Sequence, residues 1–191
     1  MSIRLFTQAL PIILPEEIRS KALDFSTRVI ATVDYSDSNQ LSRDKIQRDH
    51  FVSKVGEEAA RAAFIMKTHD VSEPDYSVYM GSKKSWAPDL KVHGIALAIK
   101  CQSRSAAKRY GLSWTFQDSE IRKDPILHQP DAWVCFVEYN DENEAQTECI
   151  VFPPFQIKEL RFRAPLLSHL RTKKKVVYAK DIDTLLQKLN Q

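Results

Sequence analysis

The sequence predicts an α/β protein whose core elements run helix, strand, strand, strand, helix, strand, with additions at both ends. Three features carry that prediction. From Ile95 onward the residues alternate as a half-buried strand does, with Ile95, Leu97, Ile99 and Cys101 on one face and Ala96, Ala98, Lys100 and Gln102 on the other. A long helical segment, 42–67, precedes it, and Ala132 to Val137 is a continuous apolar run of strand length, as expected of a strand covered on both faces.

Taken in order, the chain opens with a short strand around Ile3 to Phe6. Its first residues, MSIRLFTQALPIILPEE, carry one arginine and no small-residue cleavage site, and read as a mature strand and not a secretion signal. Pro15 suits the first turn of a helix, where its missing N–H costs nothing, and Glu16 and Glu17 suit the positive end. Ile18, Ala22, Phe25, Val29 and Val33 give that helix one apolar stripe. Asp34 to Gln40 is polar and reads as a loop.

In the second helical segment, continuous or interrupted, Val52, Val55, Ala59 and Phe64 face the core, while the alanines around them let a neighbouring backbone come close. Three strands follow: Tyr76 to Met80, one starting at Asp89, and Ile95 to Gln102, with His93-Gly94 closing a tight hairpin. Asp75, in a second Pro-Asp pair, reads as a strand-start acid, and His93 as a turn histidine. Ser103 caps a short helix reaching about Tyr110, and Trp114 in the segment after it is assigned to packing. Beyond the strand at 132–137, Glu148 to Phe152 adds another. Pro153-Pro154 and a basic helix-like segment with Phe155, Ile157, Leu160 and Phe162 come next, then a strand from Val176 to Tyr178 and a closing amphipathic helix from Asp181 to Leu189.

Length and composition suit one domain, 1–191: 191 residues, 43% hydrophobic and 28% charged, are enough for a substantial core. No apolar run reaches the ~18 residues a membrane helix needs. Cys101, Cys135 and Cys149 are odd in number and sit in apolar contexts, which points to free thiols in a reducing, cytoplasmic compartment. Neither they nor the five histidines show zinc-ligand spacing. Gly81 in GSKKS lacks the spaced glycine and following helix of a phosphate loop.

Net charge is +3, but its distribution is uneven. Lys83 to Arg109 holds Lys83, Lys84, Lys91, Lys100, Arg104, Lys108 and Arg109 against Asp89 alone, and Gln156 to Lys175 holds seven bases, including Lys173, Lys174 and Lys175, against Glu159. Asp118 to Glu148 carries nine acids and two bases. Either one face meets a polyanion while another stays acidic, or the runs neutralise one another.

The chemistry-bearing stretch is Ser85 to Ser103. It places an acid, Asp89, at the start of one extended segment and Lys100 near the end of the next. A carboxylate that holds a cation and an ammonium that shares developing negative charge suit a phosphodiester. Taken alone, the same pattern also fits a surface hairpin with a solvated lysine.

Pro88-Asp89, then eight residues, then Ala98-Ile99-Lys100 resembles the signature of the PD-(D/E)XK nuclease superfamily, and 51–60 resembles the helix that often carries a further acid there. The resemblance covers 49–139, about half the chain, and leaves 148–191 as a basic addition. It departs at Ala98, where the second acid of the signature should stand. The resemblance implies a restriction-endonuclease-like fold, αβββαβ with a central mixed sheet flanked by helices.

The implied activity is Mg²⁺-dependent hydrolysis of double-stranded DNA by a homodimeric, type II restriction-type enzyme, prokaryotic or phage-encoded, with Mn²⁺ as a substitute ion. Asp89 would hold the metal with Glu57 or Glu58, Gln102 and the main-chain carbonyl of Ile99. Lys100 would orient or help deprotonate the attacking water. Lys83, Lys84, Arg104, Lys108, Arg109, Lys173, Lys174 and Lys175 would meet phosphates. Ala98 keeps two further readings open: an inactive nuclease-fold binding or assembly protein, and a repair or RNA-processing nuclease.

Overall fold

A computed structural model describes residues 2–32, 42–79, 88–120, 123–143 and 145–190. In chain order the elements are β1 (Leu10–Leu14), α1 (Glu16–Ile30), α2 (Arg43–Ile65), β2 (Leu90–Val92), β3 (Ile95–Ser103), α3 (Arg104–Tyr110), β4 (Ser113–Gln117), β5 (Trp133–Asn140), β6 (Thr147–Val151), β7 (Phe155–Gln156), β8 (Lys174–Tyr178) and α4 (Ala179–Leu189), with short 3₁₀ turns between β4 and β5 and between β7 and β8. The protein is mixed α/β, and its main sheet is mixed, in the order β1-β6-β5-β3-β2. β3 and β5 run parallel, from Leu97 opposite Trp133 to Ser103 opposite Tyr139. The other ladders of this sheet are antiparallel.

Alternation along the central pair divides the core in two. Leu97 and Ile99 of β3 and Trp133, Cys135, Val137 and Tyr139 of β5 join residues of α2, among them Val55, Ala59 and Phe64. Val134 and Phe136 point the other way, with Ala98 beside them, into a second cluster built from Trp114, Phe116, Phe152, Phe155 and Ile182. β4 and β8 form a separate two-stranded sheet over this second face. The continuous apolar run 132–137 is therefore buried on both sides, as its composition required. Trp114 packs, 4.6 Å from the Phe136 ring centroid, and its indole N–H donates to the Val137 carbonyl at 2.9 Å.

α2 runs without a break from an N-cap at Ser42, whose hydroxyl accepts the Lys45 N–H. Ser103 caps α3 in the same way. The β2–β3 hairpin turns through His93 (φ 50°) and Gly94 (φ 73°), the positive pair that a tight two-residue turn requires. His93 lies 3.4 Å from Asp70, a turn residue as expected. Loop 34–40 and Met80 lie outside the described residues.

Three assignments change and one strand is added. Ile3 to Phe6 is not a strand; the first strand is Leu10–Leu14 at the sheet edge, where Pro11 is tolerated. Ile3 and Phe6 are instead core anchors on an irregular segment, pinned by Arg4, whose Nε donates to the Pro154 carbonyl at 2.9 Å and whose guanidinium lies over Trp133 and Phe155. Tyr76 to Tyr79 forms no strand; Asp75 accepts the Ser77 N–H at 2.8 Å and the Tyr79 hydroxyl at 2.6 Å, local bonds that compete with a ladder. Phe155 to Phe162 is not helix-like: two strand residues pass into a 3₁₀ turn, Ile157–Glu159, closed by Gln156 and Glu159. Ser113 to Gln117 is a strand, its buried Trp114 and Phe116 alternating with Thr115.

Two contacts set how helices meet this sheet. A Cβ built on Gly56 would lie 2.5 Å from Cys101 Cβ, so only glycine lets α2 lie this close to β3. Asp141, after β5, accepts the Ser105 N–H at 2.8 Å and also the Ser105 hydroxyl and the Arg48 guanidinium, tying α3 and α2 to the strand end.

Gly56→Ala is expected to lower unfolding free energy by about 1–3 kcal/mol in urea titration, as overpacking does. Burial alone would push the Asp141 carboxyl up, but its hydrogen bonds from Ser105 and Arg48 hold it below the ordinary carboxylate range. A depressed folded pKa adds stability above the unfolded value of about 4, and that stability disappears as pH falls through the folded value. Asp141→Asn should therefore cost about 1–3 kcal/mol at pH 7, and its thermal midpoint should approach that of the parent as pH drops below about 4.

Candidate active site

Asp89 occupies a position that strand pairing creates. The β2–β3 ladder ends with Leu90 opposite Leu97. Just beyond it, the Asp89 Oδ2 accepts the Ile99 N–H at 2.7 Å, a bond that a longer β2 would have supplied from its backbone. Because the N–H and C=O of one strand residue point the same way, the Ile99 carbonyl opens on the side where Asp89 sits.

Charges gather on this carboxylate from both faces of the sheet. Burial pushes the Asp89 carboxyl up, the Ile99 N–H and the ammoniums of Lys100 and Lys54 pull it back, and Asp124 adds to the upward push. On the α2 side, Glu57 is buried with Lys54, Nζ to Oε2 being 2.5 Å, and the Ser53 hydroxyl lies 3.5 Å from Oε1. Burial raises the Glu57 carboxyl to about 7, against the pull of Lys54 and with a further push from Asp89. On the opposite face, the Lys100 ammonium lies 2.6 Å from Asp124 Oδ2 and 4.9 Å from the Phe116 ring centroid.

The remaining candidates separate from this group. Glu58 turns toward α1, accepting the Tyr76 hydroxyl at 3.0 Å with Lys21 at 3.7 Å, so helix register selects Glu57 as the glutamate beside Asp89. Gln102 shares the strand face of Lys100, but its side-chain oxygen accepts the Ser113 N–H at 2.7 Å and anchors the start of β4. Ala98 lies on that same face and packs into the second core cluster.

Some of the basic candidates are answered by acids. Arg104 pairs with Glu138 at 2.9 Å, Lys108 with Glu142 at 2.7 Å and Lys175 with Asp118 at 3.1 Å. Arg109 and Lys173 are exposed, Lys174 is partly buried, and Lys83 and Lys84 lie outside the described residues. The acid-rich stretch 118–148 thus supplies partners to several residues of the basic runs.

Asp124 is the residue that sequence reasoning missed. It follows no period that links it to Lys100; its one local signal is the Asp-Pro pair with Pro125, a turn-starting dipeptide. Among the described residues no group of three or more His, Cys, Asp or Glu is arranged to hold a metal ion. Asp89 and Glu57 nevertheless offer hard oxygen chemistry: a partly buried and a buried carboxylate whose charges act on each other, the pairing that a hard cation relieves. Mg²⁺ is commonly held by one or two carboxylates together with waters and substrate phosphates, and does not need a closed protein cage.

Lys54→Met removes the ammonium that pulls the Glu57 carboxyl down, so Glu57 should be protonated at neutral pH and the variant should lose about 1–3 kcal/mol of unfolding free energy, more as pH rises. The double change with Glu57→Gln should recover most of that loss in the same denaturant titration.

No family model, no curated protein and no solved structure matches this chain, so the functional reading rests on the geometry above and on the resemblance of its motif.

Proposed function

We propose that the protein is a Mg²⁺-dependent phosphodiester hydrolase on a restriction-endonuclease-like core, acting on double-stranded DNA as a homodimer. The observation that carries this reading is the placement of Asp89 on the Ile99 N–H where the β2–β3 ladder ends, within electrostatic reach of Lys100, Glu57 and Lys54. The parallel β3–β5 pair with α3 between its strands, and the β2–β3 hairpin before it, agree with that core except for the strand expected at 76–80.

Asp89 and Glu57 would hold the cation, with the Ile99 carbonyl as a further oxygen donor. Bound there, the cation supplies Lewis-acid neutralisation of phosphate charge. Lys100 presents a positive charge to the same phosphate. Attack by water forms a P–O bond and breaks the bond to the leaving sugar oxygen. The water proton passes to a solvent or phosphate oxygen, and the leaving alkoxide takes a proton in turn. Because its ammonium is already engaged by a carboxylate, Lys100 serves better as a fixed charge than as a base. Two copies would place one site on each strand.

Ala98 and the engaged Gln102 favour one other reading, a nuclease-fold protein that binds or assembles on DNA without cutting it.

Incubation with supercoiled plasmid and Mg²⁺, or Mn²⁺ in its place, separates these. Discrete fragments are expected of a site-specific enzyme, a smear of a repair-type nuclease, and intact but retarded plasmid of the binding protein. Asp89→Asn is the informative variant, because its amide oxygen still accepts the Ile99 N–H while the charge is gone. Together with Lys100→Ala it should reduce cutting at least about 100-fold; full cutting by both folded variants would remove the assignment.

A further inference from the structure

We infer that Asp124 is a positioning residue: it holds the Lys100 ammonium in one place over Phe116, on the side of β3 from which a phosphate would be approached. This rests on the hydrolase reading above and assigns a role to a residue outside the motif.

A lysine side chain has four rotatable bonds, and a half-exposed one samples many positions unless something holds its end. Along the Lys100 strand face its neighbours cannot do so. Ala98 ends at a methyl group, and the Gln102 side-chain oxygen is committed to Ser113. The holder comes instead from the segment between β4 and β5. The Asp124 Oδ2 lies 2.6 Å from Lys100 Nζ, with both side chains largely shielded from water.

Asp124 is itself well fixed. Its N–H donates to the carbonyl of Gln117, the last residue of β4, at 2.8 Å. Its Oδ1 accepts the Ile126 N–H at 3.3 Å, capping the 3₁₀ turn Pro125–His128, and Pro125 restricts the backbone directly after it. The ring of Phe116, from the same two-stranded sheet, closes the other side of the ammonium at 4.9 Å. β4 and the turn after it thus form a clamp built against one side chain of β3, and the sheet has no need of that clamp for its own pairing.

The test is a double-mutant cycle on plasmid cutting with Mg²⁺, using the full chain and following single-turnover rates, apparent substrate affinity and thermal midpoints. Asp124→Asn is the appropriate change, since the asparagine oxygen still caps Ile126 while the charge facing Lys100 is lost. The expected result is a roughly 10- to 100-fold drop in rate, the size of effect that slight misplacement of a catalytic group produces, with substrate affinity and midpoint little changed. Asp124→Glu should regain part of it. In a Lys100→Gln background the same Asp124 change should add no further loss, because its effect passes through the lysine.

Unchanged cutting by Asp124→Asn would overturn the inference while leaving the hydrolase reading intact. So would a loss of equal factor in both backgrounds, which is also what partial unfolding would produce. If the parent protein does not cut at all, the hydrolase reading fails and this role goes with it.

Discussion

Much of the structure depends on the contact between Gly56 and Cys101. With no Cβ on residue 56, α2 settles directly onto β3, and the residues on either side of Gly56 are carried into the protein with it: Val55 and Glu57 are both buried. A helix held farther out by one methyl group would leave Glu57 nearer water, where its carboxyl would ionise freely and would not feel Asp89. The depth of one helix therefore governs the electrostatics of the proposed site, and it does so through sterics alone. The alanines at 59, 60 and 63 continue the same close approach along the helix, all fully buried.

The second constraint is the shortness of β2. Three residues pair with β3, and the ladder then stops, leaving the Ile99 N–H to be satisfied by a side chain. A buried N–H demands an acceptor, so Asp89 is held in place for a structural reason while its second oxygen can do other work. Chemistry and folding share one residue here, which is why asparagine and alanine at position 89 test different things. Loss of the charge and loss of the acceptor are separable.

Periodicity made the fold readable where one face was buried or both were. β3, β5 and the stripe on α2 came from spacing, and the β2–β3 turn came from His93-Gly94. What spacing could not show was local competition. Asp75 binds the Ser77 N–H and the Tyr79 hydroxyl with its own carboxylate where a strand was expected through 76–79, while Arg4 holds Ile3 to Phe6 in an irregular path. In the site, the acid at the start of β2 and the lysine of β3 were legible from their order. The choice between Glu57 and Glu58 was not, because it depends on helix rotation, nor was Asp124, which reaches Lys100 across 24 residues of sequence. The charge runs were legible as composition, but not the pairs inside them: Glu138, Glu142 and Asp118 come back to meet Arg104, Lys108 and Lys175.

The buried charges themselves bear on whether this is a working site. Lys54 and Glu57 are withdrawn from water, and Asp89 and Glu57 are ionised only against the cost of burial. Replacing a buried ion pair by apolar side chains of similar size is often neutral or stabilising by about 1–4 kcal/mol, so stability alone does not call for such a group. The neighbouring core shows the cheaper solution: Cys135 and Val137 of β5 join Ala59 and Phe64 of α2 in one apolar cluster. Where β3 loses its strand partner, this core gives way to three carboxylates and two ammoniums within mutual electrostatic range. Such a cost, gathered around one strand end, is the pattern expected where polar groups serve a bound ligand more than the fold.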